Sequence, residues 1–191
     1  QRGLGGISFG NFLIKRVVEE LSRELPNLKT FSTLSPIPGF AGWLTDQMAC
    51  DEIDLLTIAD RKKLSLGLSG QSDGALLKAC INKIEWGAPN SLADEATMAR
   101  PLKRLAALYL VNVKGKNGRV RDPVGHFHLS NGARIERLNW NSDKSIRGRD
   151  QSYGLMVNYL YNLKDIQENS SAYEGKKIVA HSSAIGSILR G

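Results

Sequence analysis

Three groups of residues in this sequence carry chemistry that could act on a ligand. Ser35 follows an extended stretch, Thr30 to Leu34, and directly precedes Pro36-Ile37-Pro38-Gly39. A hydroxyl there suits anion binding or carbonyl polarisation, and equally suits a plain turn. His126 and His128 flank Phe127, just ahead of Asn131-Gly132. Imidazole titrates near neutral pH and fits acid–base work, though a histidine pair also suits polar surface or the start of a metal site. The metal reading lacks partners, since only His181 and scattered cysteines or carboxylates remain to complete a ligand set. The third group is the glycine-rich run Gly3-Leu4-Gly5-Gly6-Ile7-Ser8-Phe9-Gly10-Asn11. It leads into a helix whose free N–H groups and dipole favour phosphate or carboxylate. The same residues also suit a tight turn with Ser8 or Asn11 as the cap.

The elements that must position these groups follow from periodicity. Ile14, Val17, Val18, Leu21 and Leu25 recur at the spacing of one buried helical face, and Pro26 ends that helix. Lys15–Glu19 and Arg16–Glu20 lie four apart on its other side. Pro36 and Pro38 have no N–H for a central ladder, so the strand through Ser35 must end there or splay from its neighbour. A helical middle follows: 42–50, 51–66 with Thr57 as a cap, 73–85 and 96–110. His126 to Leu129 reads as a strand with both histidines on one face. Asn131-Gly132 reads as its hairpin, and 134–140 as the return strand. Residues 147–163 mix helical and strand spacing, and 164–191 read as a helix with a looser end.

Several of these stretches resemble one family. Residues 3–17 (Gly-Leu-Gly-Gly-Ile-Ser-Phe-Gly-Asn-Phe-Leu-Ile-Lys-Arg-Val) and 31–40 (Phe-Ser-Thr-Leu-Ser-Pro-Ile-Pro-Gly-Phe) resemble the malonyl-CoA decarboxylases. Phe127-His128-Leu129-Ser130-Asn131-Gly132-Ala133 is similar to that family's Phe-His-Leu-x-Asn-Gly-Ala signature, and 154–161 to a third. Order and approximate spacing agree over nearly the whole chain. The resemblance implies an α+β fold, a mixed sheet of the GNAT-like N-acetyltransferase type flanked by helices, with a helical insertion. It implies acyl-CoA in a notch between two splayed strands. It further implies that Gly5, Gly6, Ile7, Ser8, Phe9, Gly10 and Asn11 cradle the CoA phosphates, and that Ser35 and His128 match the catalytic serine and histidine. Tyr161, Asn158 and Pro36 are expected beside the site. Ser8 departs from the pattern, which has an acidic residue near there.

The activity so implied converts malonyl-CoA to acetyl-CoA and carbon dioxide, within fatty acid and malonate metabolism. His128 would be the proton donor, and Ser35 would bind the carboxylate or polarise the thioester. No metal or organic cofactor is required, because the thioester is itself the electron sink. Residues 1–191 are expected to form most of one acyl-CoA-binding catalytic domain, with an upstream helical domain and the first strands outside this chain. A homo-oligomer is also expected. The alternatives are a GNAT-type acyltransferase using acyl-CoA, and a basic nucleic-acid-binding module.

Composition bounds those alternatives. The 191 residues carry a formal charge of +7, with basic clusters at Lys114, Lys116, Arg119 and Arg121 and at Arg147 and Arg149. Such clusters attract polyanions, including a phosphate-bearing ligand. No interleaved aromatics or zinc-finger spacing accompany them, so no nucleic-acid partner is expected. No apolar run nears the roughly 20 residues of a membrane span, so no membrane partner is expected either. Cys50 and Cys80 form no paired framework and no signal peptide is evident, which leads to an expected reducing, cytoplasmic setting.

Overall fold

The computed structural model describes residues 10–50, 53–65, 70–86, 88 and 92–190. Their order is α1 (Gly10–Glu24), β1 (Phe31–Pro36), α2 (Phe40–Cys50), α3 (Ile58–Leu64), α4 (Asp73–Lys83), α5 (Leu92–Asn112), α6 (Pro123–Ser130), β2 (Arg134–Asn139), α7 (Ile146–Ser152), β3 (Met156–Tyr161), α8 (Ile166–Lys176) and α9 (Ser183–Arg190). The strands form one antiparallel sheet in the order β1-β3-β2, with an irregular register between Ile135 and Arg137. A parallel bridge from Ile135 to His181 lies on the other edge of β2. The architecture is α+β, as the sequence led us to expect.

Alternation along β3 decides which side of the sheet does the work. Val157, Tyr159 and Tyr161 are buried, while Met156, Asn158 and Leu160 are only half-buried. Ser35 pairs with Val157, Thr33 with Tyr159 and Phe31 with Tyr161, so these β1 residues share the buried face. The helical middle adds the rest of the core. Leu44 of α2, Leu76 and Leu77 of α4, and Met98, Leu102 and Leu105 of α5 are all buried. The α2–α4 contact is tight: a Cβ on Gly74 would lie 2.2 Å from the Met48 carbonyl oxygen. Thr57 caps α3, its hydroxyl accepting from the Asp60 N–H at 3.1 Å.

Several expectations are corrected. The helix expected over 51–66 is, among the described residues, only α3, with 53–57 outside it. His126–Leu129 is helix, not strand: Asp122 caps α6, with Pro123 in its first turn. Asn131-Gly132 is therefore the end of a helix and not a hairpin turn, with Gly132 at a φ of +79°. β1 neither stops at Ser35 nor splays from β3, because Pro36 stays paired with Met156. Proline is tolerated there because β1 has no partner on its other edge among the described residues, so no ladder N–H is missed. On α1, Val18 is buried and Ile14 packs on the core, yet Val17 is 47% exposed, and Leu25, just past the helix end, is 50% exposed. The mixed stretch resolves into helix α7 followed by strand β3, and the tail's looser end is helix α9.

Candidate functional site

Two strands and one helix build the site. β1 supplies Ser35, β3 supplies Tyr159 and Tyr161, and α6 lays His128 over them. α6 forms here because Asp122, fully buried, accepts the Gly125 N–H at 2.8 Å. Its far end is held as the Ala133 N–H donates to the His128 carbonyl at 3.1 Å. In a helix, residues two apart point to nearly opposite sides, so the two histidines separate. His126 turns to Tyr173, with Nδ1 2.9 Å from the phenol oxygen. His128 turns into the core.

His128 is 7% exposed and Ser35 is 6% exposed. Nε2 of His128 lies 3.0 Å from Ser35 Oγ, joining residues 93 positions apart. Nδ1 lies 2.6 Å from the Tyr161 hydroxyl. The imidazole stacks on the Tyr159 ring, centroids 4.3 Å apart and planes 19° from parallel. Ser35 Oγ in turn donates to Thr33 Oγ1 at 3.1 Å. The result is one hydrogen-bonded chain, Tyr161–His128–Ser35–Thr33.

Burial sets the charges in this chain. It pulls the His128 imidazole down to about 4 and pushes the Tyr161 phenol well above its ordinary range. At neutral pH His128 therefore carries one proton and Tyr161 keeps its own. Hydrogen-bond accounting then assigns the tautomer. Tyr161 is 2% exposed, and its partner among the described residues is Nδ1, so the phenol donates to that nitrogen. The imidazole proton sits on Nε2 and points at Ser35 Oγ, whose own proton goes to Thr33. A Ser-His-Asp triad has the opposite polarity: its carboxylate accepts from Nδ1–H and leaves Nε2 as a base. With the proton so assigned, Nε2 is a donor.

Asn158 and Pro36 take no part in this chain of hydrogen bonds. Asn158 occupies the alternate face of β3, where its side chain donates to the Thr33 carbonyl at 2.9 Å and accepts from Asn139 at 2.8 Å. It straps the three strands together without reaching His128. Pro36 ends β1 exposed, opposite Met156. Gly10 and Asn11 form the first turn of α1. Gly5, Gly6, Ile7, Ser8 and Phe9 lie outside the described residues. Sequence reasoning missed Thr33 and Tyr159. Both had a signal: each lies two residues from a singled-out position, so on a strand each shares its face.

This site is an acid–base array of hydroxyl, imidazole and phenol, held between a helix and an antiparallel sheet. Residues 1–191 match the description "Malonyl-CoA decarboxylase C-terminal domain", and the chain belongs to that family. Mitochondrial malonyl-CoA decarboxylases of Anser anser anser and Rattus norvegicus are each 40% identical over 194 residues, covering 99% of this chain. The alignments span 38% and 39% of those proteins. The crystal structure of malonyl-CoA decarboxylase from Rhodopseudomonas palustris superposes with a TM-score of 0.81 at 44% identity, covering 98% of this chain and 39% of that one. The corresponding enzyme from Cupriavidus metallidurans gives 0.79 at 41% identity, over 99% and 46%. The chain thus spans less than half the length of the relatives it matches.

Proposed function

We propose that this chain is the catalytic part of a malonyl-CoA decarboxylase, and that the Tyr161–His128–Ser35 array carries the reaction. The observation that supports it most directly is the 3.0 Å contact between Ser35 Oγ and His128 Nε2. When carbon dioxide leaves malonyl-CoA, the electron pair of the broken C–C bond passes into the thioester as an enolate. One proton must then reach carbon. Nε2–H supplies it, as a neutral histidine can serve an enolate in a dry site. That leaves His128 as an imidazolate, whose charge the Tyr161 O–H, 2.6 Å from Nδ1, stabilises by its hydrogen bond until solvent returns a proton to Nε2 each turnover. Ser35 holds Nε2–H in line before binding, then hydrogen-bonds the thioester oxygen as charge moves onto it. The GNAT-like relation belongs to this proposal too, with acyl-CoA lying along the edge of β1 that β3 does not cover.

The test is carbon dioxide release from malonyl-CoA by the protein that carries this chain. Transfer of the acyl group to an amine with no carbon dioxide released would overturn the reading.

A pH profile tests the donor separately. With His128 held near 4, an imidazolium donor would lose about a hundredfold in kcat/KM between about pH 6 and about pH 8, tenfold per unit. A neutral Nε2–H donor loses nothing over that range. The expected profile is therefore flat to within about threefold, and a steady tenfold-per-unit decline would rule out the neutral donor.

A further inference from the structure

The chain of hydrogen bonds does not end at Ser35. We infer that Thr33 is a positioning residue that fixes the His128 tautomer by accepting the hydrogen bond of the Ser35 hydroxyl. The kinetic consequence rests on the decarboxylase reading above; the tautomer assignment does not.

Tyr161 is buried and holds its proton, which has Nδ1 as its acceptor among the described residues. Nε2–H then points at Ser35 Oγ, 3.0 Å away. A hydroxyl oxygen accepting that bond must send its own proton elsewhere. Ser35 is almost fully buried, and its other partner among the described residues is Thr33 Oγ1 at 3.1 Å. Both residues lie on the same face of β1, opposite Val157 and Tyr159, so the strand itself sets their spacing. Thr33 is half-buried and can pass its own proton outward to water.

Without the Thr33 hydroxyl, the acceptor left for the Ser35 proton is Nε2. His128 must then carry its proton on Nδ1, facing the Tyr161 phenol, and one of those two buried protons loses its partner. An unsatisfied buried donor is costly, so the choice of tautomer is coupled along the whole chain. In that state Nε2 is a base and has no proton to give to carbon. The strand-edge hydroxyl thus separates a proton-donating array from a nucleophile-activating one.

The experiment compares Thr33→Val, Thr33→Ser and wild type in the protein that carries this chain. Histidine is labelled with ¹⁵N, and the His128 resonance is assigned by its loss in His128→Gln. Wild type and Thr33→Ser should show the Nε2–H pattern and Thr33→Val the Nδ1–H pattern. Valine matches threonine in shape, so the fold is retained, and an unchanged thermal melt checks that. Carbon dioxide release from malonyl-CoA should fall about tenfold in kcat/KM for Thr33→Val and return with Thr33→Ser. Thr33→Val keeping the Nε2–H pattern overturns this inference, as does Thr33→Ser failing to restore it. If wild type releases no carbon dioxide, the decarboxylase reading fails, and the resonance comparison still judges Thr33.

Discussion

His128→Asn is expected to lower carbon dioxide release from malonyl-CoA by about 10²- to 10⁴-fold, the range a positioned proton donor supplies. Asparagine keeps a side-chain N–H but lacks the reach to bridge Ser35 and Tyr161, which sit on opposite ends of the imidazole ring. Ser35→Ala removes one hydrogen bond to developing charge and is expected to cost about 10²-fold or more, equivalent to roughly 3 kcal/mol. The loss should appear in kcat, with binding of the CoA moiety largely kept, because neither side chain need touch the nucleotide. The two changes remove parts of one array, so the double variant should lose far less than the product of the single effects. Near wild-type turnover in either single variant would refute the assignment. A double variant showing the full product would mean that the two residues act independently, contrary to their direct contact.

Most of the helical middle was plain in the sequence because its signals are local, although the helix expected over 51–66 shortens to α3. Thr57 precedes α3 as its cap, and Leu76, Leu77 and Ile81 recur at helical spacing on α4; all three are buried. The site was less plain. Phe127-His128-Leu129 between Pro123 and Asn131-Gly132 satisfies two rules at once, a short alternating strand with a hairpin turn and a short helix with both caps. Asp122-Pro123 was the deciding clue, since aspartate before proline is a helix start and that carboxylate is fully buried on the Gly125 N–H. Motif spacing joined Ser35 to His128 only through the family resemblance. Nothing local to either residue states that a strand and a helix 93 positions apart will meet. The exposure of Val17 on α1 and of Leu25 just beyond it has the same origin: periodicity tells which residues share a face, and tertiary packing decides how much of that face is covered.

Gly132→Ala is the substitution outside the array expected to do most damage, because of the backbone geometry at that position. Gly132 has a φ of +79°, where a side chain costs about 1–2 kcal/mol. A Cβ there would also lie 2.2 Å from the Ile166 carbonyl oxygen and 2.8 Å from its carbon. That obstacle is backbone at the first residue of α8, which cannot swing aside as a side-chain tip would, so a further 1–3 kcal/mol or so of overpacking follows. The total, roughly 2–5 kcal/mol, is a large share of the 5–15 or so that holds a typical domain folded. Gly42→Ala in α2 is the matched control: nothing lies within 4 Å of its Cβ, and it should be neutral or raise stability by up to about 1 kcal/mol. Urea unfolding of the two variants should therefore move in opposite directions or leave Gly42→Ala unmoved, and equal midpoints would refute the close approach of α6's end to α8. Activity should suffer beyond stability, because the residue after Gly132 donates to the His128 carbonyl. Any shift that relieves the clash with α8 pulls on that bond and draws the imidazole away from Ser35.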